Sequence, residues 1–299
     1  MELASLRRSA KEPPPCGISA RGIAPHLAAG IDPGRICVRQ TLESTNKTAR
    51  EMLLSGAPAG TVVLAEEQSA GRGRFGRAFF SPRGGVYASF ILKAPADAGA
   101  AQLVTVFAAV AACQAIEAHT GGDCSIKWVN DVLAGGRKVC GILAEAVAGA
   151  GGSAGGGRDG HVILGIGVNI NIDADSFPED IRGTAGSLSL PQERLCPFAA
   201  GLINRVAALC GEGGGEGFGG REGLGGGEAG RAAALDEYRR RSCVTGRDVY
   251  VLGRGGEKKE AAALGIDGGG GLVVRYADGT LETLSSGEIS IRPVPVSPG

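Results

Sequence analysis

Apolar residues occur in short runs bounded by turn residues, and the spacing within the runs separates strands from helices. Ile36 to Thr41 predicts a strand. Ser44 or Thr45 then caps a helix carrying Ala49, Met52 and Leu53 on one face and ending at Gly56. Thr61 to Glu66 and Val86 to Lys93 predict strands on either side of a segment rich in arginine and glycine. Gln102 to His119 predicts a long helix stopped by Gly121-Gly122. Its alanine-rich Leu103 to Ile116 run reads as a buried core helix. Ser125 to Val129 and Val139 to Val147 predict strands, with Gly135-Gly136 as a turn between them. His161 to Asn171 is almost continuously apolar, as expected of a buried strand, and Phe198 to Cys210 and Ala232 to Arg241 predict helices. Strands joined by hairpin-like turns, with helices interspersed, argue for an α+β domain: a mixed β-sheet with helices packed on it.

From Cys243 onward the runs shorten. Val249 to Leu252, Ala261 to Ile266, Leu272 to Tyr276 and Leu281 to Leu284 predict strands, and Asp278-Gly279 is a type I′ hairpin signal. Ser286 to Arg292 closes the unit, which predicts a small C-terminal β-barrel. Upstream, Met1 to Gly34 contains Pro13-Pro14-Pro15 and little periodicity. The expected organisation is therefore a disordered segment 1–34 with one short helix near Ile23 to Ala29, an α+β domain 35–241, and a barrel 242–299.

Composition narrows the classes. The chain has 299 residues and a formal net charge of +0, so global basicity does not point to nucleic acid. Eight cysteines contain no C-x-x-C pair and only three histidines are present, so a zinc site is not expected. Cys113, Cys140 and Cys210 lie in apolar runs and read as core thiols. The N-terminus has basic residues without a following apolar run, and no stretch of about 18 residues is apolar without interruption. A cytoplasmic protein that neither enters nor binds a membrane is expected. Of 53 glycines, many cluster at Gly149 to Gly160, Gly211 to Gly230 and Gly265 to Gly271, which read as expanded surface loops.

The segment Gly71-Arg72-Gly73-Arg74-Phe75-Gly76-Arg77 sets fixed positive charge on a pliant backbone, suited to closing over an anion such as phosphate. It also spells G-x-G-x-x-G. The dinucleotide fingerprint needs a helix after it, whereas Phe79-Phe80-Ser81-Pro82-Arg83-Gly84-Gly85 and another strand follow here. Further motifs accompany the loop: Glu43-Ser44-Thr45-Asn46, Gln68 three residues before Gly71, Lys127-Trp128-Val129-Asn130-Asp131, Gly141-Ile142-Leu143-Ala144-Glu145 and Gly165-Ile166-Gly167-Val168-Asn169-Ile170-Asn171. In their order and spacing these resemble the biotin protein ligases, from about Arg35 to Pro293. Val129 stands where that family usually has proline. The resemblance implies that the C-terminal barrel is SH3-like. Some family members carry an N-terminal winged helix-turn-helix, for which Met1 to Gly34 offers no room, so a short form without DNA binding is expected.

The resemblance implies an ATP-dependent ligase that makes biotinyl-5′-AMP and transfers biotin to a lysine of the carboxyl carrier protein domain of acetyl-CoA carboxylase or a related enzyme. Lys127 and Arg74 are the implied catalytic residues. Ser44, Thr45, Asn46, Gln68, Arg72, Gly73, Arg74, Lys127 and Gly141 are implied for biotin; Arg72, Arg74, Arg77, Phe79, Asn130, Asn169 and Arg292 for ATP and the adenylate. The chemistry of these residue types agrees. Two anions must be forced together, which needs fixed cations, and a cyclic urea needs buried neutral polar partners. Ser44 and Thr45 also read as a plain helix cap. ATP chemistry implies Mg2+, with Asp131 as a weak candidate ligand. Two alternatives stay open: a lipoate–protein ligase of the same fold, and a non-catalytic biotin-responsive regulator. A homodimer is also left open.

Overall fold

A computed structural model describes residues 17–94, 101–147, 160–211, 223–253 and 257–291. The expected Gly149 to Gly160 loop lies almost wholly outside these residues, as do much of Gly211 to Gly230 and the site candidate Arg292.

The strands are β1 (Ile36–Leu42), β2 (Val62–Gln68), β3 (Gly85–Lys93), β4 (Cys124–Lys127), β5 (Asp131–Ala134), β6 (Arg137–Val147) and β7 (His161–Asn169). They form one seven-stranded sheet in the order β1-β2-β3-β7-β6-β5-β4. β1 and β2 run parallel and every other neighbouring pair is antiparallel, so the sheet is mixed, as expected. The sequence did not predict β5: Trp128 to Asn130 forms a tight turn, and the chain returns as a strand. The Trp128–Val129 peptide in this turn is cis.

Alternation along the strands divides the two faces of the sheet. Val62 and Leu64, Val86, Ala88 and Phe90, and Leu164, Ile166 and Val168 all belong to the main apolar core. There they meet α3 (Ala101–Thr120), flanked by α5 (Leu195–Cys210) and α6 (Gly223–Arg241). α3 is long and apolar enough to cross a bilayer, but most of it is buried in this core. Cys113, Cys140 and Cys210 are buried there as expected. α6 starts well before Ala232, because the Gly223 to Gly230 stretch is helical despite its composition. The opposite face carries Val63, Ile91 and Ile163 under Ala49 and Leu53 of α2 (Thr45–Leu54). This second face holds the site.

The N-terminal expectation is corrected. Residues 17–34 are packed: α1 (Ala20–Ile23) is capped by Ser19, Ile23 is fully buried, and Asn204 of α5 accepts from the Ala28 amide at 2.8 Å. Two buried isoleucines, Ile18 and Ile23, outweigh the absence of periodicity. A one-turn helix α4 (Glu179–Arg182) lies in the β7–α5 connection.

β8 (Asp248–Leu252), β9 (Lys258–Ile266), β10 (Leu272–Tyr276), β11 (Leu281–Leu284) and β12 (Glu288–Ile291) form an antiparallel sheet in the order β11-β10-β9-β8-β12. Among the described residues the sheet does not close into the expected barrel, since β11 and β12 end as edges. The unit shares the main core through Val249, Ala263, Leu272 and Val274. The Gly270 carbonyl accepts from Trp128 Nε1 at 3.0 Å and from Gln102 Nε2 at 2.8 Å, which ties the β9–β10 turn to the Trp128 turn and to α3.

Candidate active site

The register of the sheet lays out the floor of the site. Lys127 pairs with Asp131, Asp131 with Gly141, Gly141 with Gly167, and Gly167 with Tyr87. Directly opposed residues share a face, so this row crosses five strands on the face away from α3. The two central glycines are required by a close approach: a Cβ on Gly141 would lie 2.7 Å from Phe79 Cε2, and one on Gly167 2.5 Å from Phe79 Cε1. The space they leave is taken by the Phe79 ring, which also meets Tyr87 edge-on at 6.4 Å. Above the row a cleft of about 240 Å³ is lined by Ser44, Thr45, Asn46 and Gln68, by the arginine loop, and by Lys127, Asn130 and Lys138.

The arginine loop is a folded hairpin. The Gly73 amide donates to Arg77 O at 2.8 Å and the Phe79 amide to Gly71 O at 2.9 Å, while Phe75 and Gly76 take positive φ of 56° and 75°. Arg72 and Arg77 are exposed at the cleft, and Arg74 turns inward. Its guanidinium donates to Asn130 Oδ1 at 2.9 Å and to Gly287 O at 2.9 Å, and its Cζ lies 4.9 Å from the Phe75 ring centre. Arg74 therefore connects the loop both to the Lys127-Trp128-Val129-Asn130-Asp131 segment and to the C-terminal unit.

Several groups hold that segment. Tyr238 of α6, fully buried, donates to Val129 O at 3.0 Å, and Asn130 Nδ2 donates to Ile142 O at 2.9 Å. Burial and neighbouring thiols push the Tyr238 hydroxyl well above its ordinary range, so it remains a donor. The Lys127 side chain makes no hydrogen bond or ion pair among the described residues, so its ammonium is held at the cleft by backbone geometry.

A neutral polar cluster fills the α2 side. Ser44 is the N-cap residue of α2, yet its side chain makes no capping bond. The Thr45 amide and hydroxyl both donate to Gln68 Oε1, at 2.8 and 3.0 Å. Gln68 Nε2 donates to Ser81 Oγ at 2.9 Å, and Ser81 Oγ to Phe79 O at 2.8 Å. The Ser89 hydroxyl lies 2.8 Å from Thr45 Oγ1 and 2.6 Å from Asn46 Oδ1, and Asn46 Nδ2 donates to Glu145 Oε2 at 2.7 Å. Ser44, Thr45, Asn46 and Ser89 are all buried.

The structure thus gathers Ser44, Thr45, Asn46, Gln68, Arg72, Gly73, Arg74, Arg77, Phe79, Lys127, Asn130, Asp131 and Gly141 around one cleft. Asn169 does not line it. Its amide is buried and donates to Gly186 O at 2.9 Å, a bond that anchors the segment after β7. Asp131 lines the cleft, but its carboxylate is 2.6 Å from Lys138 Nζ. Sequence reasoning passed over Ser89, Glu145, Lys138, Gly287 and Ile289. For Ser89 a signal was available: a polar residue inside the apolar Val86 to Lys93 run demands a partner.

Residues 38–169 match the Biotin/lipoate A/B protein ligase family, and residues 244–292 match the Biotin protein ligase C terminal domain. The bifunctional ligase/repressor BirA of Bacillus spizizenii is 41% identical over 152 residues, which are 50% of this chain and 45% of that protein. The biotin–[acetyl-CoA-carboxylase] ligase of Paracoccus denitrificans is 36% identical over 177 residues, 56% of this chain and 71% of that one. The chain spans less than half the length of the two Bacillus relatives, 45% and 44%. Among solved structures, the biotin protein ligase from Aquifex aeolicus in complex with biotin and ATP has the same fold, with a TM-score of 0.64 at 23% identity, over 87% of this chain and 99% of that one.

Proposed function

Because the chain belongs to the biotin/lipoate A/B protein ligase family and carries the biotin protein ligase C-terminal domain, we propose that it activates biotin with ATP and transfers it to a lysine of a biotin carboxyl carrier protein. One observation carries this reading beyond the family. A single cleft combines a buried neutral polar cluster with a separate set of cations, Arg72, Arg74, Arg77 and Lys127. That pairing suits a neutral hydrogen-bonding ring joined to an acidic tail.

In the first step a biotin carboxylate oxygen attacks the α-phosphorus of ATP, the bond to the bridging oxygen breaks, and pyrophosphate leaves. The negative charges that converge here repel one another, and preorganised cations lower that barrier. Lys127 is assigned to the carboxylate, Arg72 and Arg74 to the phosphate joined to it, and Arg77 and Asn130 to the rest of the nucleotide. In the second step a carrier lysine amine attacks the acyl carbon, the bond to the phosphate oxygen breaks, AMP leaves, and the nitrogen gives its proton to solvent. Thr45, Asn46 and Gln68 are assigned to the ring. Magnesium belongs to this reading as part of the MgATP substrate. Among the described residues no three His, Cys, Asp or Glu side chains converge, and Asp131 is engaged by Lys138, so the donor set does not fit a resident ion. The reaction is assigned to the cytoplasm, where its ATP is made.

The same buried polar groups argue against lipoate, whose dithiolane ring offers neither an N–H nor a carbonyl to the hydrogen-bonding capacity they retain beyond their bonds to one another. The test is mass spectrometry of a purified carrier domain incubated with this protein, ATP and either biotin or lipoate. A biotinyl mass increment on one lysine is expected. A lipoyl increment alone would sink the assignment, and no increment with either acid would favour a non-catalytic role.

A further inference from the structure

We propose that Glu145 is a positioning residue that fixes which hydrogen-bonding groups the ring pocket presents to its ligand, a role that rests on the biotin reading above. Amides and hydroxyls are ambivalent: an Asn can turn by 180°, and a Ser or Thr hydroxyl can donate or accept. A chain of such groups has no direction unless groups that can only accept or only donate sit at its ends. Here the chain runs Glu145, Asn46, Ser89, Thr45, Gln68, Ser81, Phe79 O.

The Phe79 end is fixed by backbone. A carbonyl only accepts, so Ser81 Oγ donates to it and must accept from Gln68 Nε2. That turns Gln68 Oε1 toward Thr45, where the fixed backbone donor Thr45 N–H meets it. The Thr45 hydroxyl then donates to the same oxygen, which leaves its lone pairs for other donors. The opposite end has no backbone to fix it. There the only group in the chain without ambivalence is Glu145, whose carboxylate oxygens accept. It accepts a hydrogen bond from Asn46 Nδ2, so Oδ1 faces Ser89, whose one hydrogen is shared between Asn46 Oδ1 and Thr45 Oγ1, and the second Nδ2 hydrogen is left over.

The sheet is built to allow this contact. A Cβ on Gly165 would stand 2.3 Å from Asn46 Oδ1, so the amide lies on β7 where only glycine leaves room. Gly165 pairs with Ser89 on one side and Leu143 on the other, two residues before Glu145 on β6. Without the carboxylate the Asn46 amide can turn over. Ser89 accepts as readily as it donates, so nothing else in the chain opposes the turn, and the pocket would offer a lone pair where the ligand expects an N–H.

The test is calorimetric titration of the intact protein with biotin, with pyrophosphate release and thermal melting measured in parallel. Glu145→Ala, or Glu145→Met if the alanine variant does not fold, should bind biotin at least about tenfold more weakly, the loss of one hydrogen bond to a charged group. KM for biotin should rise by the same factor with kcat little changed, because Glu145 does not face the reacting carboxylate. Glu145→Gln can still turn an oxygen toward Asn46 and should recover most of the affinity. Unchanged affinity in Glu145→Ala, or equal weakening in Glu145→Gln, would overturn the positioning role while the biotin reading stands. A wild-type protein that takes up no biotin would overturn that reading first, and this role with it.

Discussion

Replacing Arg74 by lysine separates charge from geometry. The guanidinium of Arg74 reaches Asn130 Oδ1 and Gly287 O at once, each at 2.9 Å, and so joins the loop to the catalytic segment and to the C-terminal unit. A lysine ammonium keeps the charge but lacks the rigid fork that spans two acceptors. A hydrogen bond from a charged donor contributes about 1.5–3 kcal/mol when fully buried. Arg74 is half-buried, so about 1 kcal/mol for each bond is the better figure after solvent screening. Losing both in Arg74→Ala loosens the closed loop by about 2 kcal/mol, or roughly thirtyfold. Losing one in Arg74→Lys loosens it about fivefold. If the closed loop retains the acyl-adenylate, its release should quicken by these factors, and bystander lysines should be labelled in the same order. The assay is a pulse with α-labelled ATP and biotin, followed by filtration to time the loss of bound adenylate, with streptavidin blotting of an unrelated lysine-rich protein alongside. Adenylate that forms normally in Arg74→Ala and leaves no faster than from wild type would refute the reasoning.

Lys127→Ala should melt close to wild type, since the Lys127 side chain makes no hydrogen bond or ion pair among the described residues, yet lose about 10²–10³-fold in pyrophosphate release; near-normal release would remove it from the mechanism. Glu117 joins α3 to α6 through Arg241, whose hydrogen bonds of 2.5 and 2.9 Å hold the carboxyl below its ordinary pKa despite partial burial. A depressed carboxylate stabilises the fold above its unfolded pKa, near 4.3, and that contribution is lost as pH falls through the folded value. Glu117→Gln should therefore melt below wild type at pH 7, and the gap should close under acid; a gap that persists once wild-type Glu117 is protonated would contradict the linkage.

The motifs were legible because they are local. Lys127, Asn130 and Asp131 lie within five consecutive residues, and the arginine loop within seven. What the sequence could not supply was the register that sets Gly141 and Gly167 between Lys127 and Tyr87, because pairing is decided by distant strands. β5 was missed because four residues after a turn carry too little periodicity to stand out. Residues 17–34 were misread because two isolated buried isoleucines, Ile18 and Ile23, leave no pattern. The place of Asn169 outside the cleft lining was not legible, because a motif asparagine looks the same whether it faces a cleft or, as here, donates to the carbonyl of Gly186.

The division of the sheet into two faces accounts for where the chemistry can sit. On β3 and β7, Val86, Ala88 and Phe90 and Leu164, Ile166 and Val168 face α3 in an apolar core, where a polar group would have no partner. Of the intervening positions, Tyr87, Gly165 and Gly167 line the cleft and Ser89 lies buried on the same face, and there small or hydroxylated residues replace the apolar ones. The same strands continue beyond the cleft as Ile91 and Ile163 beneath Leu53 of α2, apolar on both faces again. Apart from Lys93 and His161 at the outer strand ends, polarity on this face of β3 and β7 is therefore confined to the stretch beneath the N-terminus of α2 and the arginine loop. Were it a general feature of an exposed sheet surface, it would run the length of the strands. Its restriction to the positions that Asn46 and Phe79 approach, with glycine where they come closest, marks it as a built pocket.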